Sequence, residues 1–510
     1  MQLMKVLERL CGATIQVQVS PACLLSDLRM SVPAFLLAMV HVTAFALLAK
    51  RVLRVRLSTL SANAAYLTMG YALFGFYVWA AGYVGGLNRR AFLLSSVAAF
   101  VFVCRDYRKV LWVLSCLRIR LAVVGHRWPV ATAAVLVVTA IALWSGTRGI
   151  AYDDDYRWQS AVFWAKQGCW ARSPFRLTNG PALSEMLHVP AAIFGSPTAA
   201  HWMSTCLWIC CALSAAAIGQ KLGAPSVISV VAVLSLPVFT RLASVLSSDV
   251  TALAFALAAF VFLMERVNQP DEVLGATLAA GLLFAAVLST KFILLASLPA
   301  AIAMSLGVRR PVLQRGWRLA ALTGPVLTVA CLWVAHTYHL IGMPFDPSGK
   351  HMARSADDPM WKDGQAAGRI PGLLDIARLP MEPFVTTVFG QREPYGGRTG
   401  LLWAAMLPAA AILIYRGHLN LKAATILLGI SLCSYGLLAP FMLKTRFLLL
   451  PFALLSVLAA AVYCQRGLLW SSGRRMVAIL FVISATVGMF DGARNLLLGL
   501  VLEAPVTQAN

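Results

Sequence analysis

Asp153, Asp154 and Asp155 stand side by side where a long apolar run ends, in a chain of net charge +23 with 20 acidic and 43 basic residues. A lone exposed aspartate, with a pKa of about 3.9, is a weak base. Crowded carboxylates raise one another's apparent pKa, and partial burial raises it further. One member of such a trio can take a proton from an alcohol. The same trio also reads as a solvated helix end, a turn or a cation site. Tyr156 and Arg157 follow directly, and Trp164 and Glu185 lie downstream. Glu185 fits three roles: a second acid, an orienting partner for Arg157, or part of a solvated face.

The complementary chemistry is cationic. Lys444 and Arg446 precede an apolar run, and Arg241 and Lys291 sit near the ends of others. Arginine offers a planar fork to a phosphate, and lysine offers a point charge. Snorkelling, or a role in topology, is the alternative for each. Lys291 separates two adjacent apolar spans and also suits a tight turn. Asp249 follows Ser247 and Ser248 before an apolar helix, so helix capping is its first reading and contact with a substrate hydroxyl its second. His336 and His339 share a helix face, with Asp346 beyond. No third ligand comes at a metal-motif distance, so no metal ligand is assigned. The 11 cysteines contain no CxxC pair. Cys206, Cys210, Cys211, Cys331 and Cys433 lie in apolar runs as small hydrophobes. A Cys11–Cys23 disulfide would require an oxidising compartment at the N-terminus.

The elements that must position these residues are apolar. The chain of 510 residues is 60% hydrophobic and 12% charged, whereas a soluble domain carries roughly 25% charged residues. Apolar runs predict an all-α polytopic membrane protein with about 12–14 transmembrane helices. The spans are 31–49, 62–84, 91–104, 128–145, 198–218, 224–240, 249–265, 272–289, 291–308, 318–337, 399–415, 420–442, 447–464 and 475–490. Residues 1–30 read as a polar lead-in without a signal-peptide pattern. No internal repeat is visible, which gives no support to an inverted-repeat transporter. The positive charge is spread over short loops with no aromatic-interleaved basic stripe, which argues against a nucleic-acid partner.

Four short loops hold the basic residues: Lys50 to Arg56, Arg105 to Arg127, Arg309 to Arg318, and Arg466 to Arg475. Fourteen spans put all four on one side, and the positive-inside rule makes that side cytoplasmic. Two long segments, 146–197 and 338–398, then face outward with most of the acids. In the first, Leu183, Met186, Leu187 and Phe194 form a short apolar stripe interrupted by Pro190, which predicts a helix lying in the membrane interface. Trp158, Trp164 and Trp170 suit headgroup depth.

The stretch "YDDDYRWQSAVFWAKQGCWARSPFRLTNGPALSEML" resembles the first outer loop of the GT-C superfamily of polyprenyl-phosphate-sugar-dependent glycosyltransferases, of mannosyltransferase or aminoarabinose-transferase type. Asp153, Tyr156, Arg157, Trp164, Pro181 and Glu185 fill the places of its acidic, tyrosine, basic, tryptophan and Pro-Xaa-Xaa-Xaa-Glu elements. "LSLPVFTRLASVLSSDVTALAFALAA", "GMPFDP" and "KTRFLLLPFALLSVLAA" are similar to later motifs, so the resemblance covers roughly residues 128–465.

The resemblance implies a GT-C-like division of the chain. Residues 1–127 form a lead-in with the first helices. A core, 128–337, contains the catalytic loop 146–197. The second outer loop is 338–398, and the C-terminal helices are 399–510. It also implies transfer of a sugar from a polyprenyl phosphate to a glycan, lipid or protein acceptor at the outer face of a bacterial inner membrane. One of Asp153, Asp154 and Asp155, with Asp153 preferred, would be the general base. Arg446, Lys444, Arg241 and Lys291 would hold the donor phosphate, and Tyr156, Arg157, Trp164, Glu185 and Asp249 would contact substrate. No cofactor is expected, and a divalent metal stays open. The alternatives are an O-antigen polymerase or ligase, which would work through outer arginines, and a lipid-linked sugar transporter or flippase.

Overall fold

The computed structural model describes residues 21–106, 123, 125–148, 152–173, 182–265, 270–306, 312–342, 399–419, 421–438 and 449–502. Every regular element among them is helical. Seven helices are long and apolar enough to cross a membrane. Five shorter apolar helices of 10–17 residues accompany them. This is an all-α polytopic membrane protein.

The first half contains α1 (Pro21–Leu53), α2 (Leu60–Tyr83), α3 (Arg89–Arg105), α4 (Pro129–Ser145), α5 (Tyr152–Gln167), α6 (Leu183–Met186), α7 (Val189–Ile193) and α8 (Pro197–Lys221). Then come α9 (Ser226–Leu234), α10 (Pro237–Arg241), α11 (Ser248–Met264), α12 (Pro270–Thr290), α13 (Leu298–Leu306) and α14 (Val312–Ile341). The C-terminal part holds α15 (Leu402–Tyr415), α16 (Leu421–Leu438), α17 (Leu449–Gln465) and α18 (Ser471–Leu502).

Several starts are written in the sequence. Thr59 Oγ1 accepts from Ala62 N at 3.1 Å to cap α2, and Asn88 Oδ1 accepts from Ala91 N at 3.0 Å to cap α3. Ser196 caps α8 with Pro197 in the first turn, where its missing N–H costs nothing. Helices α8, α11 and α17 are buried along most of their length. Their alanines and serines let neighbouring backbones approach where lipid supplies no hydrophobic drive for helix association. Helix α3 and the long helix α18 keep broad apolar faces open, including Leu94, Val97, Val101, Ile479, Val482 and Phe490.

Three expectations change. The span 224–240 is not one helix. Leu236 is extended ahead of Pro237, φ −81 and ψ 104, because a residue before proline avoids the α region. The break is covered by protein: a Cβ on Gly488 of α18 would meet the Ser235 carbonyl oxygen at 2.1 Å. The span 291–308 begins with an extended Lys291 and a 3-10 turn, Phe292–Ser297, before α13. The first helix begins at Pro21, inside the expected lead-in.

The two ends of the bundle differ in chemistry. At one end, Arg51 of α1 pairs with Asp106 after α3, and Lys221 Nζ lies 3.0 Å from Glu265 Oε2. Glu265 Oε1 accepts the Ser58 N–H at 3.1 Å, and Gln465 Nε2 donates to the Leu222 carbonyl at 2.9 Å. These contacts join the basic turn after α1 to the ends of α3, α8, α11 and α17. Arg157, Glu185, Asp249 and Lys291 lie toward the opposite end.

Candidate functional site

Helix α5 carries the acids in its first turn. Free N–H groups and the helix dipole favour negative charge there. That is the local reason three adjacent carboxylates are compatible with a helix start. The side chains of Asp153, Asp154, Asp155 and Tyr156 lie outside the described residues, as do Lys444, Arg446, Pro181 and Asp346.

Arg157, on the next turn, is engaged from three sides. Its Nε lies 3.3 Å from Glu185 Oε1 of α6. Nη1 donates to the Leu246 carbonyl, and Nη2 donates to Ser248 Oγ at 3.0 Å. Glu185 also accepts from Ser184 Oγ at 2.6 Å through Oε2. The pair is nearly enclosed, with 12% of the Arg157 side chain and 8% of the Glu185 side chain exposed. Glu185 is therefore not on a solvated face, and its carboxylate pairs with Arg157.

The next residue along α11 continues the polar run. Ser247 Oγ accepts from Asp249 N at 3.1 Å and from Val250 N at 3.4 Å, so the cap is Ser247. The Asp249 carboxylate instead pairs with the Lys291 ammonium beyond α12. In sequence Asp249 stands alone as a cap or substrate contact, and Lys291 as a phosphate ligand or the mark of a tight turn. The structure joins them. Arg241, half-buried, ends α10.

Leu183, Met186, Leu187 and Val189 are buried against protein, so the stripe turns inward. The segment is two short helices, with Pro190 in the first turn of α7 rather than breaking one helix. Trp164 is wholly buried, and its Nε1–H donates to the Ala171 carbonyl at 3.1 Å. It stands edge-on to Trp170, ring centroids 4.9 Å apart. Trp164 therefore packs the protein and offers no face to a substrate. Trp158 and Trp170 are buried as well.

Trp170 docks the far end of α5. Its Nε1–H donates to the Trp79 carbonyl at 2.6 Å, and its backbone N–H donates to the Gly82 carbonyl at 3.2 Å. A Cβ at Gly82 would sit 2.2 Å from the Trp170 ring, so only glycine admits the indole. Trp79 stacks on Trp333 of α14 at 4.9 Å, and Trp333 Nε1 donates to Ser289 Oγ at 2.7 Å. His336 completes this aromatic knot, with Nδ1 facing both Trp79 Nε1–H and Tyr83 Oη. An indole N–H only donates, so Nδ1 carries the lone pair and the ring proton sits on Nε2. His336 is thus engaged by aromatic neighbours on the α2 side. No group of three His, Cys, Asp or Glu side chains able to share a metal occurs among the described residues.

His188 and Ser204 had no sequence signal. His188 Nε2 lies 3.1 Å from Ser204 Oγ behind the Arg157–Glu185 pair. Burial, then the neighbouring His201 and Arg157, push the His188 pKa down to about 3. The ring is neutral at ordinary pH. Ser248 and the Leu246 carbonyl were also unforeseen, because a pairing across so many residues leaves no local pattern.

Comparison of the chain with protein-family models, with curated proteins and with solved structures finds no match.

Proposed function

We propose that the protein is an integral membrane glycosyltransferase of GT-C type that takes a sugar from a polyprenyl-phosphate donor at the non-cytoplasmic face of a bacterial inner membrane. The observation that carries this reading is the docking of the acid-bearing helix α5, through Arg157, at the end of the bundle opposite the basic turn at Lys50 to Arg56. The positive-inside rule puts that acid end outside the cytosol.

The chemistry would be a direct displacement with inversion. Asp153 takes the proton from an acceptor hydroxyl. The acceptor oxygen forms a bond to the anomeric carbon as the bond from that carbon to the phosphate oxygen breaks. The electron pair leaves with polyprenyl phosphate, whose growing charge needs cations rather than an acid. In this reading Arg446 and Lys444 supply them, and the segment 338–398 selects the acceptor, whether glycan, lipid or protein. No cofactor enters the scheme. The resemblance to GT-C enzymes and the chemistry of adjacent carboxylates support the assignment, and the apolar composition, 60% hydrophobic, suits a lipid-borne donor.

The test is release of free polyprenyl phosphate when the purified protein meets a polyprenyl-phosphate-linked hexose or pentose together with an acceptor mixture. Release by the native protein and loss of release in Asp153→Asn are expected. No release from any such donor would reject glycosyl transfer in favour of a flippase. Unchanged release in both Asp153→Asn and Asp154→Asn would favour a polymerase or ligase working through arginines.

A further inference from the structure

We propose that Arg157 is a positioning residue that holds the carboxylate-bearing turn of α5 in place, and not a substrate ligand; the proposal rests on the reading of that turn as the seat of the general base. Every nitrogen of its guanidinium is directed at a protein acceptor: Nε at Glu185, Nη1 at the Leu246 carbonyl and Nη2 at Ser248 Oγ. A planar fork with fixed donor directions suits three acceptors on two segments, which a lysine point charge cannot reproduce.

Both anchor points are themselves held. Glu185 accepts from Ser184 within the fully buried helix α6. Ser248 opens α11, whose next residue, Asp249, is tied to Lys291 beyond α12. Positions 153 and 154 come one turn before Arg157, since residues three and four apart share a helix face. The other end of α5 is fixed by Trp170 on Trp79 and Gly82. The acid turn is thus carried by a helix clamped near both ends, and a base that does not have to be ordered during reaction saves activation entropy. The clamp is internal: the Arg157 side chain and its ion pair with Glu185 are nearly closed to solvent.

The experiment uses the full-length protein in detergent with Asp153→Cys, alone and combined with Arg157→Lys or Glu185→Gln. A methanethiosulfonate reagent labels the thiol at 153, read by peptide mass spectrometry, and thermal unfolding checks that each protein is folded. The clamp predicts a rise in labelling rate of about fivefold or more in both combined variants, as local opening becomes easier. In the Asp153 background, Arg157→Lys should lower kcat for sugar release about 10- to 100-fold with KM for the donor nearly unchanged. Labelling rates within about twofold of the parent in both combined variants overturn the clamp. A raised KM with unchanged kcat also overturns it, because that pattern marks a substrate ligand. Should Arg157→Lys fail to fold, Glu185→Gln decides alone. Activity surviving in Asp153→Asn would remove the general-base reading, and the labelling rates would still judge the clamp.

Discussion

Arg157 of α5 and Glu185 of α6 form an ion pair with Nε 3.3 Å from Oε1, across 28 positions of sequence and almost without solvent. An ion pair this enclosed adds little over a well-packed apolar pair, but breaking it from one side strands a charge. Glu185→Ala should therefore cost about 3–5 kcal/mol, whereas Glu185→Gln, which keeps an acceptor for Arg157, should cost less. The measurement is the thermal unfolding midpoint in detergent. Equal midpoints for the two variants would show that the charge is not what matters.

Asp249 and Lys291 test the same physics at the start of α11. Their side chains are 5% and 15% exposed. Asp249→Leu and Lys291→Met should each destabilise the protein, and the double variant should recover much of the loss. The expected coupling energy is about 1–3 kcal/mol, the range for residues in one network. A double-mutant cycle on unfolding midpoints measures it, and strict additivity would mean that the pair is incidental.

The Trp170 dock should be equally sensitive. A methyl group at Gly82 meets the indole at 2.2 Å, against rings rather than a flexible chain end. Gly82→Ala should cost about 1–3 kcal/mol, the usual range for an overpacked interior. It should also move the tryptophan emission to longer wavelength as the ring is displaced. An unchanged spectrum and midpoint would show that the loop adjusts without strain.

His188 gives the pH dependence a sign. Its folded pKa, about 3, lies below the unfolded value of 6.5. The unfolded state therefore binds the proton first as pH falls. The stabilisation from a neutral His188 is full above pH 6.5, declines below it, and is lost by about pH 3. His188→Gln keeps a polar partner for Ser204 and removes the titration. Its unfolding midpoint should fall less steeply between those two pH values than that of the native protein. Parallel curves would locate the acid sensitivity elsewhere.

The helices were legible because lipid demands long apolar runs, and the run from 198 to 218 and that from 272 to 289 became α8 and α12 with small changes at their ends. The break at Leu236 was carried by Pro237, a visible signal that the apolar run masked. Burial of Leu183 to Val189 was not legible, since the same short apolar stripe serves a membrane surface and a protein interior alike. Single residues at the site were visible by type: Arg157, Glu185, Asp249 and Lys291 all stood out as charges among apolar neighbours. Their pairing was only partly so. Glu185 could be matched to Arg157 within one loop, whereas Asp249 and Lys291 are joined only by the packing of α11 on α12. His188 gave no sign at all, because a lone histidine acquires meaning from what surrounds it.

The interruption between α9 and α10 has a bearing on how the chain is made. Its Ser235 carbonyl is approached by Gly400 and by Gly488 of α18, which leaves the ribosome 253 residues after Ser235. Until both have been made, the notch at Ser235 needs water, an insertion factor or a provisional neighbour beside it, because hydrocarbon cannot satisfy it. A protein ending before Gly488 should consequently be degraded in the cell even though every residue of the clamp has been synthesised, and pulse-chase decay of such a truncation against the complete chain would show it.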